Sequence, residues 1–209
     1  MIKTTTKEGV ALDIDSIGKQ LSQIITSGMV NHFANIHSDL QQDGLYAYSL
    51  YCASGFCAFG IAASTHKSLI ALKRRIRQSE AELLETLEQH PDLAANYLQV
   101  SDLQIEMSAP DWDYLYSNID EFNPLDDLVS QIRDYGLQTH DEEFDVSAFI
   151  SEHLVFGIKA FQAKCATGEL LTGLQFSDPS IEEMEISENI SRQVNSDKWH
   201  RKVLALNTE

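Results

Sequence analysis

Acidic side chains crowd the middle of this chain. Between residues 101 and 152 there are 14 Asp and Glu and one basic residue, Arg133. Two stretches of that segment hold residue types that could do chemistry. In Ala109-Pro-Asp-Trp-Asp-Tyr-Leu-Tyr116, aromatic side chains sit beside acids, and Trp and Tyr offer a partner large area with few rotatable bonds. The plainer role for Trp112 is to anchor a loop to the core. In His140-Asp-Glu-Glu-Phe-Asp145 a histidine lies among carboxylates, which suggests either a metal or a general base with its orienting acid. The spacing supports neither. There is no His-x-x-x-His pair, no Asp-x-Asp-x-Asp-Gly calcium loop and no second basic group to complete an acid–base pair. Asp145 also has a plain task, capping the helix that follows.

Other chemistries are discounted by their missing patterns. The chain has no Gly-x-x-x-x-Gly-Lys phosphate loop, no dinucleotide Gly-x-Gly-x-x-Gly and no Gly-x-Ser-x-Gly nucleophile elbow. Cys52, Cys57 and Cys165 lack the paired spacing of a zinc site. Cys52 and Cys57 fall on opposite arms of a hairpin and could pair, but buried thiols of a reducing compartment are the expectation. No cofactor and no metal are called for, and a binding protein is favoured over an enzyme.

Charge is the strongest compositional feature. The net charge is −17, and residues 101–209 carry 22 acidic against 7 basic side chains. Such a field repels nucleic acid and anionic membrane and speeds encounter with a basic partner. The competing explanation is that acidity only keeps the protein soluble. No apolar run approaches the roughly 20 residues of a membrane span, and the first residues lack a secretory signal's apolar core, so a cytoplasmic protein is expected.

The elements that must position these residues form one domain over 1–209, with 1–12 a loose arm or an edge strand. The expected fold class is α+β: a small, mostly antiparallel sheet built on a central hairpin at about 45–64 and packed by amphipathic helices. Leu45-Tyr-Ala-Tyr-Ser-Leu-Tyr-Cys52 is apolar on both alternating sets, so helices should cover both faces. Tyr46, Tyr48, Leu50 and Cys52 are expected on one face, and Gly55 is expected to turn the chain in a left-handed conformation.

Helical stripes are read from Asp13 to about Ser38, and from Ser64 or Thr65 to His90-Pro91 with a possible break near Gln78-Ser79. Further helices are read from Asn123-Pro124 to Gly136, from about Val146 to Ala166, and in short pieces after Ser177-Asp178-Pro179 and Ser187. The second helix carries Lys67, Lys73, Arg74, Arg75 and Arg77, expected to pair with nearby carboxylates rather than grip phosphate. Leu103–Met107, Leu170–Phe176 and Trp199–Asn207 read as strands.

The order of features resembles the bacterial proteins grouped as domain of unknown function 4303. The likeness rests on Tyr46-Ala-Tyr-Ser-Leu-Tyr51, Asp111-Trp112-Asp113-Tyr114, Phe176-Ser177-Asp178 and Leu206-Asn207, and spans about Ile17 to Asn207. Residues 78–105 do not align, and the family has a more polar set after its hairpin. No catalytic residues transfer from it. The resemblance implies a small cytosolic bacterial protein of the immunity type, encoded near secreted toxins.

Three functions follow as expectations. The first is a non-enzymatic acidic protein that neutralises a cationic toxin domain, such as a nuclease, by covering its active site. Its contact patch is expected to include Asp111, Trp112, Asp113, Tyr116, Asp120, Asp126, Asp127, Glu142 and Glu143. The second is a small-ligand protein or enzyme with a pocket against the hairpin, using Tyr48, Tyr51, His140 and His153. The third is a scaffold or homo-oligomer with no partner beyond itself.

Overall fold

The computed structural model describes residues 4–5, 11–90, 97–117, 119–139 and 144–208. Strands β1 (Thr4–Thr5) and β2 (Ala11–Leu12) pair with each other alone. Helix α1 (Ile14–Gln42) leads into β3 (Leu45–Ala53), β4 (Cys57–Thr65) and α2 (His66–Leu87). Then follow α3 (Asp102–Met107), β5 (Tyr114–Tyr116), α4 (Leu125–Thr139), α5 (Val146–Cys165), β6 (Leu174–Phe176), α6 (Ile181–Val194) and α7 (Asp197–Leu206).

The fold is α+β, and its main sheet has the order β5-β4-β3-β6. β3 and β4 pair antiparallel, as do β4 and β5, but β6 lies parallel to β3. The sheet is therefore mixed and not mostly antiparallel as expected. Parallel neighbours cannot be joined by a tight turn and need a long crossover, which the helices between β3 and β6 supply, whereas the short turn after β3 makes β4 antiparallel to it.

Helices cover both faces. On one, α1, α4 and α5 pack Leu21, Ile25, Phe33, Ile132 and Phe161 against Tyr48, Leu50 and Ile61. On the other, α2, α3 and α7 bring Leu69, Leu72, Ile105 and Trp199 against Tyr46, Ala47 and Ala62. Tyr46 thus parts from Tyr48, Leu50 and Cys52. The pairing Leu45↔Thr65 is followed by Ala47↔Ser64, a bulge that places Tyr46 opposite no residue and turns it to the far face.

Several boundaries differ from expectation for local reasons. Residues 102–107 form a helix because Ser101 and Gln104 make a reciprocal capping box, which outweighs a short alternating pattern. Residues 197–206 are helical because Trp199, Val203 and Leu206 recur at helical spacing toward the second core. Helix α2 runs unbroken past Gln78-Ser79. Helix α4 continues through Gly136, where a Cβ would lie 2.6 Å from the Val146 side chain, so the glycine serves close packing. Helix α5 ends at Cys165, close to the expected boundary, and Ala166 closes it in the left-handed region (φ 52°).

The tip between β3 and β4 concentrates backbone strain. Gly55 takes φ +75°, as expected, but Phe56 (φ 57°) and Ala58 (φ 50°) are left-handed without being glycine. Two carboxylates hold this shape. Glu183, only 9% exposed, accepts from the Gly55 N–H at 2.7 Å, the Ser54 hydroxyl at 3.0 Å and the Ser180 N–H at 2.8 Å. Asp126 accepts from the Ala58 N–H at 3.0 Å.

Burial alone would raise the Glu183 pKa, but hydrogen bonds from Ser180, Gly55 and Ser54 bring it below the ordinary carboxylate value. Its stabilising effect is therefore complete above the unfolded-state value of about 4.3 and is lost as pH falls through the lowered one. Replacing Glu183 by Ala leaves several donors unpaired and is expected to cost roughly 3 kcal/mol in urea denaturation at neutral pH. That cost should shrink in acid, and a cost independent of pH would remove the carboxylate from the account.

Candidate functional site

Strand β5 is an edge. It covers only Ile61 to Ala63 of β4, and no other strand lies on its outer side among the described residues. Gly60 permits its approach, since a Cβ there would meet the Tyr116 carbonyl oxygen at 2.5 Å. Leu115 at its centre is 46% exposed. Carboxylates flank both ends. Asp113 precedes Tyr114, opposite Ala63. Asp120 and Glu121 follow Tyr116, opposite Ile61, and Asp126 sits at Ala58. From Ala63 to Ala58 along β4 is roughly 16 Å at strand rise.

The nine residues expected to form a contact patch divide. Asp111, Asp113, Asp120, Asp126 and Asp127 are exposed and Tyr116 is half-buried. Trp112 is 3% exposed and its indole N–H donates to the Glu106 carbonyl at 3.1 Å, packed near Tyr46. It is a loop anchor in the core and offers a partner no area, which removes it from the patch. Glu142 and Glu143 lie outside the described residues, as does His140. Asp126 has a structural task beside its charge.

Part of the acidity is neutralised internally. Arg75 lies 3.8 Å from Asp113, Lys73 lies 3.0 Å from Asp102, and Arg77 lies 2.6 Å from both Glu80 and Asp102. Lys67, Lys73, Arg75 and Arg77 of α2 thus pair with carboxylates, as expected, whereas no ion pair among the described residues reaches Arg74. No ion pair among the described residues reaches Asp111, Asp120, Glu121, Asp126 or Asp127.

Beside this edge an open groove of about 490 Å³ runs between α1 and β5. His32, Asn35, Tyr116, Asp120 and Glu121 line it, over an apolar wall that includes Leu115. His32 meets Tyr116 edge-on at 4.4 Å between ring centroids. Its Nδ1 lies 2.9 Å from the hydroxyl of Tyr48, and that hydroxyl lies 3.1 Å from the Met29 carbonyl oxygen. Both contacts are hydrogen bonds only if Tyr48 donates to Met29 and His32 Nδ1–H donates to Tyr48. The neutral ring then keeps Nε2 as an acceptor. Burial lowers the His32 pKa, against the opposing pull of Glu121.

His32, Asn35 and Leu115 went unnoticed in the sequence. His32 and Asn35 are three apart on one helix, next to the buried stripe of Met29 and Phe33, and that adjacency is the one signal they leave. The other histidine nominated, His153, packs its ring on Gly18 and sets Nδ1 3.0 Å from the Ser22 hydroxyl, in the seam between α1 and α5. Tyr51 packs against the second core.

The pocket against the β3–β4 pair reaches Ser49, between β6, α6 and α7, and its cavity is about 70 Å³. Small-molecule sites span roughly 300–1,000 Å³, so this space suits a few waters and not a metabolite. Among the described residues no three His, Cys, Asp or Glu converge as metal ligands, and no helix is long and apolar enough to cross a membrane. Cys52 and Cys57 are both free thiols, one buried and one exposed.

No family model, curated protein or solved structure matches this chain.

The assigned tautomer can be checked directly. Carbon and nitrogen shifts of the His32 ring are expected to report Nδ1–H and a pKa below about 6.5. Protonation then favours the unfolded chain, so the His32 contribution is complete above that pH and declines as pH falls through the lowered value. Tyr48→Phe leaves Nδ1–H without its partner and should cost about 1–3 kcal/mol. An Nε2–H ring in the native protein would reverse the assignment.

Proposed function

We propose that this is a non-enzymatic acidic binding protein of the immunity type, whose β5 edge docks a cationic toxin domain and covers its active site. The observation that carries this reading is the set of carboxylates around an uncovered strand edge, with Asp111, Asp120, Glu121, Asp126 and Asp127 free of ion pairs among the described residues. An uncovered edge offers backbone donors and acceptors to an extended segment, and pairing of this kind is a recurring mode of recognition. The carboxylates select a basic segment and raise its association rate by long-range attraction. With no matching family model, the likeness to the domain of unknown function 4303 proteins contributes the bacterial setting, and the charge map carries the mechanism.

The partner to test is a secreted protein encoded beside this one, presented as its C-terminal domain to the immobilised chain. Asp111→Lys/Asp127→Lys alters two carboxylates that bond to no other group among the described residues. It is expected to slow association by about tenfold or more and to flatten its dependence on salt, with the melting temperature lowered only slightly by the lost favourable charge at the start of α4. Asp126→Lys should slow association and also destabilise the fold, because the Ala58 N–H loses its acceptor. Association unaffected by the double reversal in a folded variant would remove the acidic edge from the mechanism.

A further inference from the structure

We propose that the groove between α1 and β5 is a capture site for one arginine side chain, donated by the partner that docks on the edge. The source of that arginine rests on the docking reading above, while the site's chemistry does not. Its polar lining is rich in acceptors contributed by separate segments, beside the hydroxyls of Tyr116 and Ser117. Asp120 and Glu121 come from the turn after β5, and the Asn35 amide and the His32 ring come from α1. Among the described residues no Lys or Arg lines the groove.

The histidine decides the sign of the site. A cationic imidazole would repel a positively charged guest. The two hydrogen bonds through Tyr48 place a proton on Nδ1 in either charge state, and burial of the ring favours the neutral form, in which Nε2 is a further acceptor. The groups facing this ring are Tyr48 from β3, Tyr116 from β5 and Glu121 from the turn 120–122, and the carboxylate is the one charged group among them.

Guanidinium fits this lining better than ammonium. Its five N–H donors lie in one plane and can reach acceptors on opposite walls, and its weakly hydrated face tolerates aromatic contact. Lysine offers a compact, strongly hydrated charge whose three donors make no planar fork and give up more hydration on entering the groove. The apolar wall at Leu115 and Ile119 suits the three methylenes of the arginine stem.

The test uses the whole protein and Nα-acetyl-arginine methylamide, with the lysine analogue as comparison, followed through the ring signals of His32 at pH 7.5. The arginine probe is expected to shift those signals saturably, with a dissociation constant on the order of 1 mM. The lysine probe should bind several-fold more weakly. Glu121→Gln keeps the acceptor that Asn31 uses at 3.1 Å, and with Asp120→Asn it should weaken the arginine probe about tenfold without lowering the melting temperature. Lowering the pH through the His32 pKa should weaken binding in the native protein. No saturable shift up to about 10 mM, equal responses to both probes, or full binding by the double amide variant would each overturn the assignment. A slowed partner association in Asp111→Lys/Asp127→Lys beside an unresponsive groove would sink the arginine site and leave the docking edge standing.

Discussion

A phenol hydroxyl buried in the middle of a sheet must find hydrogen-bond partners, because leaving it unpaired costs more than the bond itself returns. Tyr48 is fully buried among Phe33, Phe161 and the inner strands, and burial holds its hydroxyl far above the ordinary phenol pKa, so it remains protonated. Its proton goes to the Met29 carbonyl and its oxygen receives the His32 N–H. One constraint inside the core thereby fixes the hydrogen-bonding character of a surface groove. The same side chain fastens α1 to β3 on the way to Tyr116. The edge strand is thus tied to the core through a ring whose Nδ1–H is already committed to Tyr48.

The second organising force is the unequal distribution of paired and unpaired carboxylates. Helix α2 presents its cations to Asp43, Asp102 and Asp113, so acidity near that helix is answered locally. These pairs are exposed, and exposed pairs add little to stability. Their larger effect is on the field: Arg75 thins the negative potential at the Asp113 end of β5, while no ion pair among the described residues reaches Asp120 or Glu121 at the other end. Glu183 belongs to neither group. It faces inward and serves the strained tip between β3 and β4, which shows that a high acidic count does not by itself describe a docking surface.

Much of the fold was legible because helix caps and hydrophobic periodicity are local. Asp13, Thr65 and Asp145 cap helices where their types and positions imply, and α1 and α2 follow their apolar stripes. The short elements failed for a common reason: over six to ten residues, strand and helix patterns overlap, and the Ser101–Gln104 box or the position of Trp199 against the second core decides. The bulge at Tyr46 leaves no trace in a row of uniformly apolar residues. The site was legible only as charge. Asp120, Asp126 and Asp127 stood out by density, whereas His32 looked like one more residue on an amphipathic helix. Its role depends on Tyr48, sixteen residues later, and on Tyr116, far beyond that.

An edge of three residues invites the question of why it does not pair with another copy of itself. Open strand edges are hazards, and proteins protect them by keeping them short and placing charge beside them. β5 meets both conditions. Two copies pairing edge to edge in parallel would bring Asp120 and Glu121 of each together, and pairing antiparallel would bring them to the Asp113 end of the other, whose charge Arg75 answers at 3.8 Å only in part. Self-pairing is opposed by the same field that draws a basic segment in. Discrimination here therefore needs no closely shaped pocket: repulsion rejects the chain's own copy and other acidic surfaces, and the acceptors of the groove act on what attraction has already brought near. Protection of the edge and choice of partner are then two consequences of one arrangement of carboxylates.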